Sequence, residues 1–315
     1  MPIAKVIGPK SKKVVGIPKQ FCATIFPGTP LPDEFVAAVR EVERLLKGPV
    51  WLIIQDVAPT RGRSPHFHEM DDSILNGFLD SKSSIPNKPI NIIIDSPGGS
   101  AKIAYQLANF FRLHCGGFNV YIPEWAKSAA TLFVLGASNV YLSKYAEIGP
   151  LDVQVFDAER EDFCSALDEV QALERLNAFA LQAVDAGMLL LSSRSGKSVS
   201  ALLPHVHRFV SDMLRPLFEK LDTVHYTQMS RLLKVGEEYA IRLLERKYGR
   251  PGADDIARQL VNGYPEHGFY IDRGEASRIG LKTLGNQDEL EQALDVLKHA
   301  MHGHVVIGQL KEIKP

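Results

Sequence analysis

Two short stretches hold the residue types that acyl-transfer chemistry needs. The first, Asp95-Ser96-Pro97-Gly98-Gly99-Ser100, ends a run of isoleucines and opens a helical pattern. Unpaired N–H groups at a helix start sit at the positive end of its dipole, so such a junction offers donors to an anion or a developing oxyanion. Glycine lets that backbone approach a ligand closely, although a lone Ser-Pro-Gly-Gly is equally an ordinary strand-to-helix turn. The second stretch, Ala126-Lys127-Ser128-Ala129-Ala130, also passes from strand to helix and places Ser128 at the helix start. Its small neighbours leave room for a substrate backbone beside the hydroxyl, while the plain alternative is an N-cap serine. Two such junctions, roughly thirty residues apart, would together supply a hydroxyl and the donors for a tetrahedral intermediate.

Other groups with chemical potential are less organised. His66-Phe67-His68, with Glu69 and Asp71, puts alternate residues on one side of an extended segment, but no further ligand follows at a recognisable spacing, so no metal is expected. Asp95 and Asp152 stand at strand ends near the two junctions, where capping and turn roles compete with substrate contact. Cys22, Cys115 and Cys164 are odd in number and scattered, which suits reduced core thiols. No Gly-x-Ser-x-Gly elbow occurs, disfavouring an α/β-hydrolase. No Walker-type loop is present.

These residues need elements to hold them. The 315 residues, 45% hydrophobic and 23% charged with a formal net charge of -1, describe a globular chain with ample core and no preference for nucleic acid. The basic start lacks an apolar h-region, and no uncharged window reaches the roughly 18 residues needed to cross a bilayer, so a cytoplasmic location and no membrane span are expected. Residues 1–30 read as a loosely held arm. Within a core of residues 31–156, Pro32 to Gly48 repeats apolar residues at helical spacing. Strands and helices then alternate as VWLIIQDV, INIIID, SAKIAYQLANFFRLH, FNVYIP, KSAATLFVLGA and NVYLS. That alternation predicts parallel pairing with right-handed crossovers, an α/β layer. Residues 157–263 show long helical patterns and almost no strand signal, and are expected to pack on the core. Residues 264–315 read as a strand and helix completing it.

IIIDSPGGSAKIAYQLANFF followed by AKSAATLFVLGASNVYLSKYAEIGPLDVQV resembles the ClpP/crotonase superfamily, and within it the signal peptide peptidase A group, in particular the serine dehydrogenase proteinase branch. GYPEHGFYIDRGEASRIGL, with Tyr264, His267 and Asp272, is similar to the C-terminal signature of that branch. The resemblance implies a spiral of ββα units carrying an extended helical region. It implies a serine peptidase with Ser128 as nucleophile, an oxyanion hole from the N–H groups of Gly99, Ala129 and Gly98, and no cofactor. It further implies peptide or unfolded protein as substrate and a homo-oligomeric assembly. The chain departs from the family pattern at Lys127, usually apolar, and at Ala130, usually glycine.

A serine hydroxyl needs a base. ClpP has a histidine some 25 residues past its nucleophile, but AEIGPLDVQV contains none. The signal peptide peptidase branch uses a lysine, whose pKa must be lowered by burial. Lys197 in SSRSGKSVS is the leading candidate; Lys220, Lys234 and His267 are the others. Lys127 adjoins the nucleophile, and its side chain should point elsewhere. Two further functions stay open: a crotonase-like enzyme polarising an acyl thioester, and an inactive oligomeric scaffold.

Overall fold

The structure, a computed structural model, describes residues 20–26, 30–55, 67–157 and 161–313. In chain order the elements are β1 (Phe21–Ala23), α1 (Asp33–Leu45), β2 (Val50–Ile54), α2 (Asp72–Asp80), β3 (Ile90–Asp95), α3 (Ala101–His114), β4 (Phe118–Ile122), β5 (Trp125–Ala126), α4 (Ala129–Leu135) and β6 (Asn139–Leu142). They continue with β7 (Glu147–Ile148), β8 (Gln154–Asp157), β9 (Asp162–Ser165), α5 (Ala166–Ser195), α6 (Val199–Phe218), α7 (Thr223–Asn262), α8 (Arg273–Arg278), α9 (Asp288–Met301), β10 (Val306–Gly308) and β11 (Leu310–Glu312).

The main sheet runs β10-β2-β3-β4-β6, parallel except for the antiparallel edge strand β10. Both faces are covered, which is why its strands read as near-continuous apolar runs. Side chains alternate between the faces. Trp51 and Ile53 join the core beneath α3, α4 and α7, whereas Val50, Leu52 and Ile54 join the one beneath α1 and α9. Helix α3 buries Ile103, Ala104, Leu107, Ala108 and Phe111, a stripe at helical spacing. Burying each of its large apolar side chains stabilises the fold by about 1.5–3 kcal/mol.

A second row of short pairings crosses the C-terminal ends of the parallel strands. Gly99 bridges Met70, Ser96 bridges Ala126, β5 pairs with β7, and Ile148 bridges Ile271. Each unit thus passes from a long strand to a short one and then to a helix, a mixed α/β arrangement of ββα units with a helical region of long helices after it. This second row holds both junctions singled out in the sequence. The bridge to Ile271 ties in the segment 264–272 as well.

Two expectations are corrected; the absence of a long uncharged window holds and leaves one helix to be noted. The part of the arm within the described residues is not loose: Phe21–Ala23 pairs with Leu310–Glu312, and Cys22 and Ala23 are buried. The segment Asp162–Ser165, read as helix, is a strand paired antiparallel with Gln154–Asp157. Helix α5 begins after it because the Ser165 hydroxyl caps it, accepting from Leu167 N at 3.0 Å and Asp168 N at 3.2 Å. Finally, α5 is long and apolar enough to cross a membrane by length and composition, and none of its apolar stretch is buried. A charge at Asp185 interrupts the sequence of that helix, which hides the stretch from a search for uncharged windows. Helix α7 breaks at Gly249, whose φ of 71° lies outside the helical region, just before Pro251.

Candidate active site

Ser128 sits between β5 and α4 with φ 50° and ψ -120°. A non-glycine residue in that region stores strain of about 1–3 kcal/mol and persists only where its surroundings impose it. The surroundings are visible. Lys127 N donates to Ser96 O at 3.0 Å, and Ala130 N donates to Lys127 O at 2.8 Å. Thr131 Oγ1 lies 2.7 Å from Ala126 O and 2.9 Å from Gly149 O, and accepts from Gly149 N at 3.0 Å. One buried hydroxyl therefore clamps β5, β7 and the start of α4 around the serine. The N-cap alternative fails: Ser128 occupies the cap position, but its side chain makes no capping bond. It is half-buried and lines a cleft of about 510 Å³.

The two glycines close up against this turn. Gly98 has φ 109°, and a Cβ there would fall 2.6 Å from Lys127 O and 2.9 Å from Ser128 Cβ. Gly99 has φ 126°, and a Cβ would fall 2.7 Å from Met70 N. Both positions therefore exclude a side chain by conformation and by space. Gly98 itself is not a free donor, contrary to expectation. Its N–H is donated to Ser96 Oγ at 3.1 Å, and its carbonyl accepts from Met70 N at 2.6 Å. The N–H groups of Gly99 and Ala129 donate to nothing among the described residues, and both residues line the cleft beside Ser128.

Behind the glycines lies a buried polar pair that sequence reasoning missed. Ser96 Oγ donates to Gln55 Oε1 at 2.6 Å, and Gln55 Nε2 donates to Phe67 O at 3.0 Å. A signal existed: Ile54 pairs with Asp95, so the first polar residues past two neighbouring apolar strands, Gln55 and Ser96, fall side by side. Asp95 lies on a different cavity and binds Trp125 Nε1 at 2.8 Å, with its carboxyl pushed up to about 7 by burial.

The candidate bases separate clearly. Lys197 lies exposed in the turn between α5 and α6. Helix α5, of 30 residues, is about 45 Å long, so the chain does not bring Lys197 to the cleft. Lys234 is an exposed partner of Glu237 and Glu238, and Lys220 is exposed as well. Lys127 points away from the cleft lining, buried, with Nζ 2.6 Å from Glu147 Oε2 as an ion pair not aligned as a hydrogen bond. His267 lines the cleft with Ser128 and Asp152. Burial pushes its imidazole below the ordinary histidine value, opposed by the Asp152 carboxylate and backbone and reinforced by the Lys127 charge. Asp152 is pushed up by burial, held back by the Ser165 hydroxyl and the charge of His267. Asp152 Oδ2 accepts from Gln154 Nε2 at 3.2 Å, while Asp152 Oδ1 and His267 Nδ1 are both buried without hydrogen-bond partners.

The His66–Asp71 group, from which no metal is expected, falls partly outside the described residues, since it includes His66. Asp71 caps α2, accepting from Ser73 N and Ile74 N, and Glu69 lines the cleft. Among the described residues no three His, Cys, Asp or Glu side chains are grouped to hold a metal ion.

A strained serine thus stands beside two backbone N–H groups that have no partner among the described residues, at the C-terminal edge of the parallel strands. Residues 66–224, about half the chain, match the family of ClpP-like SDH-type serine proteinases, and the chain belongs to that family. It is similar to two proteins of Methanocaldococcus jannaschii. The uncharacterized protein MJ0137 is 23% identical over 203 residues, 64% of this chain and 56% of that one. The uncharacterized protein MJ1495 is 26% identical over 198 residues, 63% of this chain and 53% of that one. The chain thus spans about half the length of the curated relatives it matches. Among solved structures, a ClpP1 mutant from Listeria monocytogenes overlaps 79% of this chain and 98% of its own, with 13% identity and a TM-score of 0.36.

Proposed function

We propose that the protein is a serine peptidase in which Ser128 is the nucleophile, the N–H groups of Gly99 and Ala129 bind the oxyanion, and His267, oriented by Asp152, is the base. The observation that carries this reading is Ser128 itself, held at φ 50° with its hydroxyl uncapped against Gly98. Ser128 Oγ attacks the peptide carbonyl as its proton passes to His267. The oxyanion meets the two donors, each worth about 3–4 kcal/mol in such a hole. The imidazolium then gives the proton to the leaving amine, and water hydrolyses the acyl-serine by the same route. A neutral imidazole near pH 7 is what a base requires, and the direction of the His267 shift supports it.

The substrate is an extended peptide or unfolded segment lying between Pro97–Ser100 and Leu151–Gln154. Leu132, Leu232 and Val235 offer an apolar wall to one of its side chains. Closed homo-oligomers that confine the cleft, and a cytoplasmic location suited to three cysteines that form no disulfide, belong to the same proposal. The lysine mechanism of the signal peptide peptidase A type has less support, because Lys197 stands at the far end of α5. An acyl-thioester reading has no use for a strained serine.

Fluorophosphonate labelling tests the assignment. The wild type is expected to label, Ser128→Ala not at all, and His267→Gln about 100-fold or more slowly. The wild-type rate should rise with pH through a midpoint below that of an ordinary histidine. Loss of labelling in Lys197→Ala with full labelling in His267→Gln would overturn the histidine assignment.

A further inference from the structure

The hairpin of α5 and α6 carries an apolar surface that the rest of the chain leaves uncovered. Of the 30 residues of α5, only Ala166 and Leu167 at its base are buried. One seam of the hairpin is packed: Val206, Val210 and Leu214 of α6 meet Ala180, Ala183, Val184 and Met188 of α5. Gly187 allows this approach, since a Cβ there would fall 2.9 Å from Val206 Cγ1. Exposed large apolar side chains run along the hairpin, from Phe179 and Leu181 on α5 to Leu217 and Phe218 on α6, and one group of them stands at the tip. There Leu189, Leu190 and Leu191 precede the turn and Val199 and Leu203 follow it; Leu189 is 74% exposed, while Phe209, 67% exposed, lies farther down α6.

Charge at the tip is one-sided. No acidic residue occurs between Asp185 and Asp212, while Arg194, Lys197 and Arg208 lie in that interval of a chain whose formal net charge is -1. Arg208 reaches Asp212 at 3.8 Å. Arg194 and Lys197 are exposed and make no ion pair among the described residues.

An apolar patch with a cationic crown needs a partner that takes both. A second copy laid tip to tip would cover the leucines, but it would set Arg194 and Lys197 against their own copies with no acid to answer them. An anionic bilayer takes both at once. Apolar side chains sink below the headgroups while Arg and Lys reach back to the phosphates. The first acid along α5, Asp185, lies 11 residues before Gly196, about 16 Å along the helix, which limits entry to the interfacial layer. We propose that the α5–α6 tip docks on an anionic lipid surface and holds the cleft beside it. This goes beyond the peptidase reading and does not depend on Ser128 being active.

The test is co-flotation of the full chain with phosphatidylcholine vesicles, with and without phosphatidylglycerol. Binding is expected only to the anionic vesicles and should weaken with salt. Arg194→Gln with Lys197→Gln should weaken it about thirtyfold, at about 1 kcal/mol per basic residue. Leu189→Ser, at the tip, should weaken it too, with circular dichroism unchanged. Equal binding to both vesicle types, or none, overturns the proposal. So does an oligomer in solution that Leu189→Ser dissociates while no vesicle is bound, since a second copy would then be the cover.

Discussion

In α4 all seven residues are buried, whereas in α5, more than four times as long, two are. Both helices are rich in Ala and Leu, so composition does not separate them. What separates them is their neighbours. Helix α4 is enclosed by the sheet, α3 and α7, and its single polar side chain, Thr131, is fully bonded to the segments it must position. Helix α5 meets α6 and α7 along one side and is open on the other. The enclosed region can hold a residue as strained as Ser128, because displacing the turn would disturb packing on every side. The open hairpin has no such leverage, and none of the residues that line the cleft comes from its tip.

The sharpest test of that difference is to truncate one phenylalanine in each region. Phe111 is fully buried among Phe78, Phe118 and Phe133, with ring centroids 5.1, 5.6 and 6.1 Å away. Phe111→Ala should cost about 3–5 kcal/mol in chemical denaturation and take the labelling of Ser128 with it at moderate temperature. A loss below about 1 kcal/mol would mean that the core is looser than its packing indicates.

The next effect is smaller and depends on pH. The Asp95 carboxyl is pushed up to about 7 by burial, against the bond from Trp125 and with Glu124 adding to the rise. A folded-state value above the unfolded one of about 3.9 means that the folded protein holds the proton more tightly. The stability this contributes is complete below about pH 4 and is lost as pH rises through about 7. Asp95→Asn should therefore gain on the wild type by a few kcal/mol at pH 8 and lose that advantage at pH 4, read from denaturation midpoints. The same scan on the hairpin variants should parallel the wild type. A flat difference for Asp95→Asn would place that carboxyl in water.

Much of the core was legible because it obeys local rules. The isoleucine run of β3, the apolar stripe of α3 and the glycines at φ 109° and 126° each announce themselves in a few consecutive residues. The nucleophile turn was legible as position but not as conformation: a serine before an apolar helix is ordinarily a cap, and only the clamp by Thr131 and Gly149 shows why this one is not. Gly98 was misjudged as a donor because its partner, Ser96 Oγ, is turned toward it by Gln55, 41 residues earlier. Lys197 is suggested by the likeness of its loop, SSRSGKSVS, to the family's lysine loop, and a local likeness says nothing about the direction in which a 30-residue helix leads. Asp152 and His267 are 115 residues apart in the sequence, and their segments are brought together by the pairing of Ile148 with Ile271 and by the bond from Leu151 N to Leu260 O. The β8–β9 hairpin was lost because its residues blend into the helical pattern that follows.

The smallest predicted effect bears most directly on the hairpin. Phe209 is as large as Phe111, but it lies in a helix that contains Pro204 and Pro216, is 67% exposed and stands outside the seam with α5. If its surroundings in solution are those of the isolated chain, Phe209→Ser should change stability by no more than about 0.5 kcal/mol, the usual range for surface positions. Val206, inside the seam, provides the internal contrast, and Val206→Ala should cost more than Phe209→Ser while still leaving the core transition in place. Hydrogen exchange would separate the two regions: amides of α5 and α6 should open without the sheet, because few buried contacts tie them to it. If Phe209→Ser instead costs several kcal/mol and lowers the midpoint of the whole molecule, this face is covered in solution even without lipid. The hairpin would then be a second enclosed region, completed by another copy of the chain, and its apolar sequence would serve the same end as that of α4.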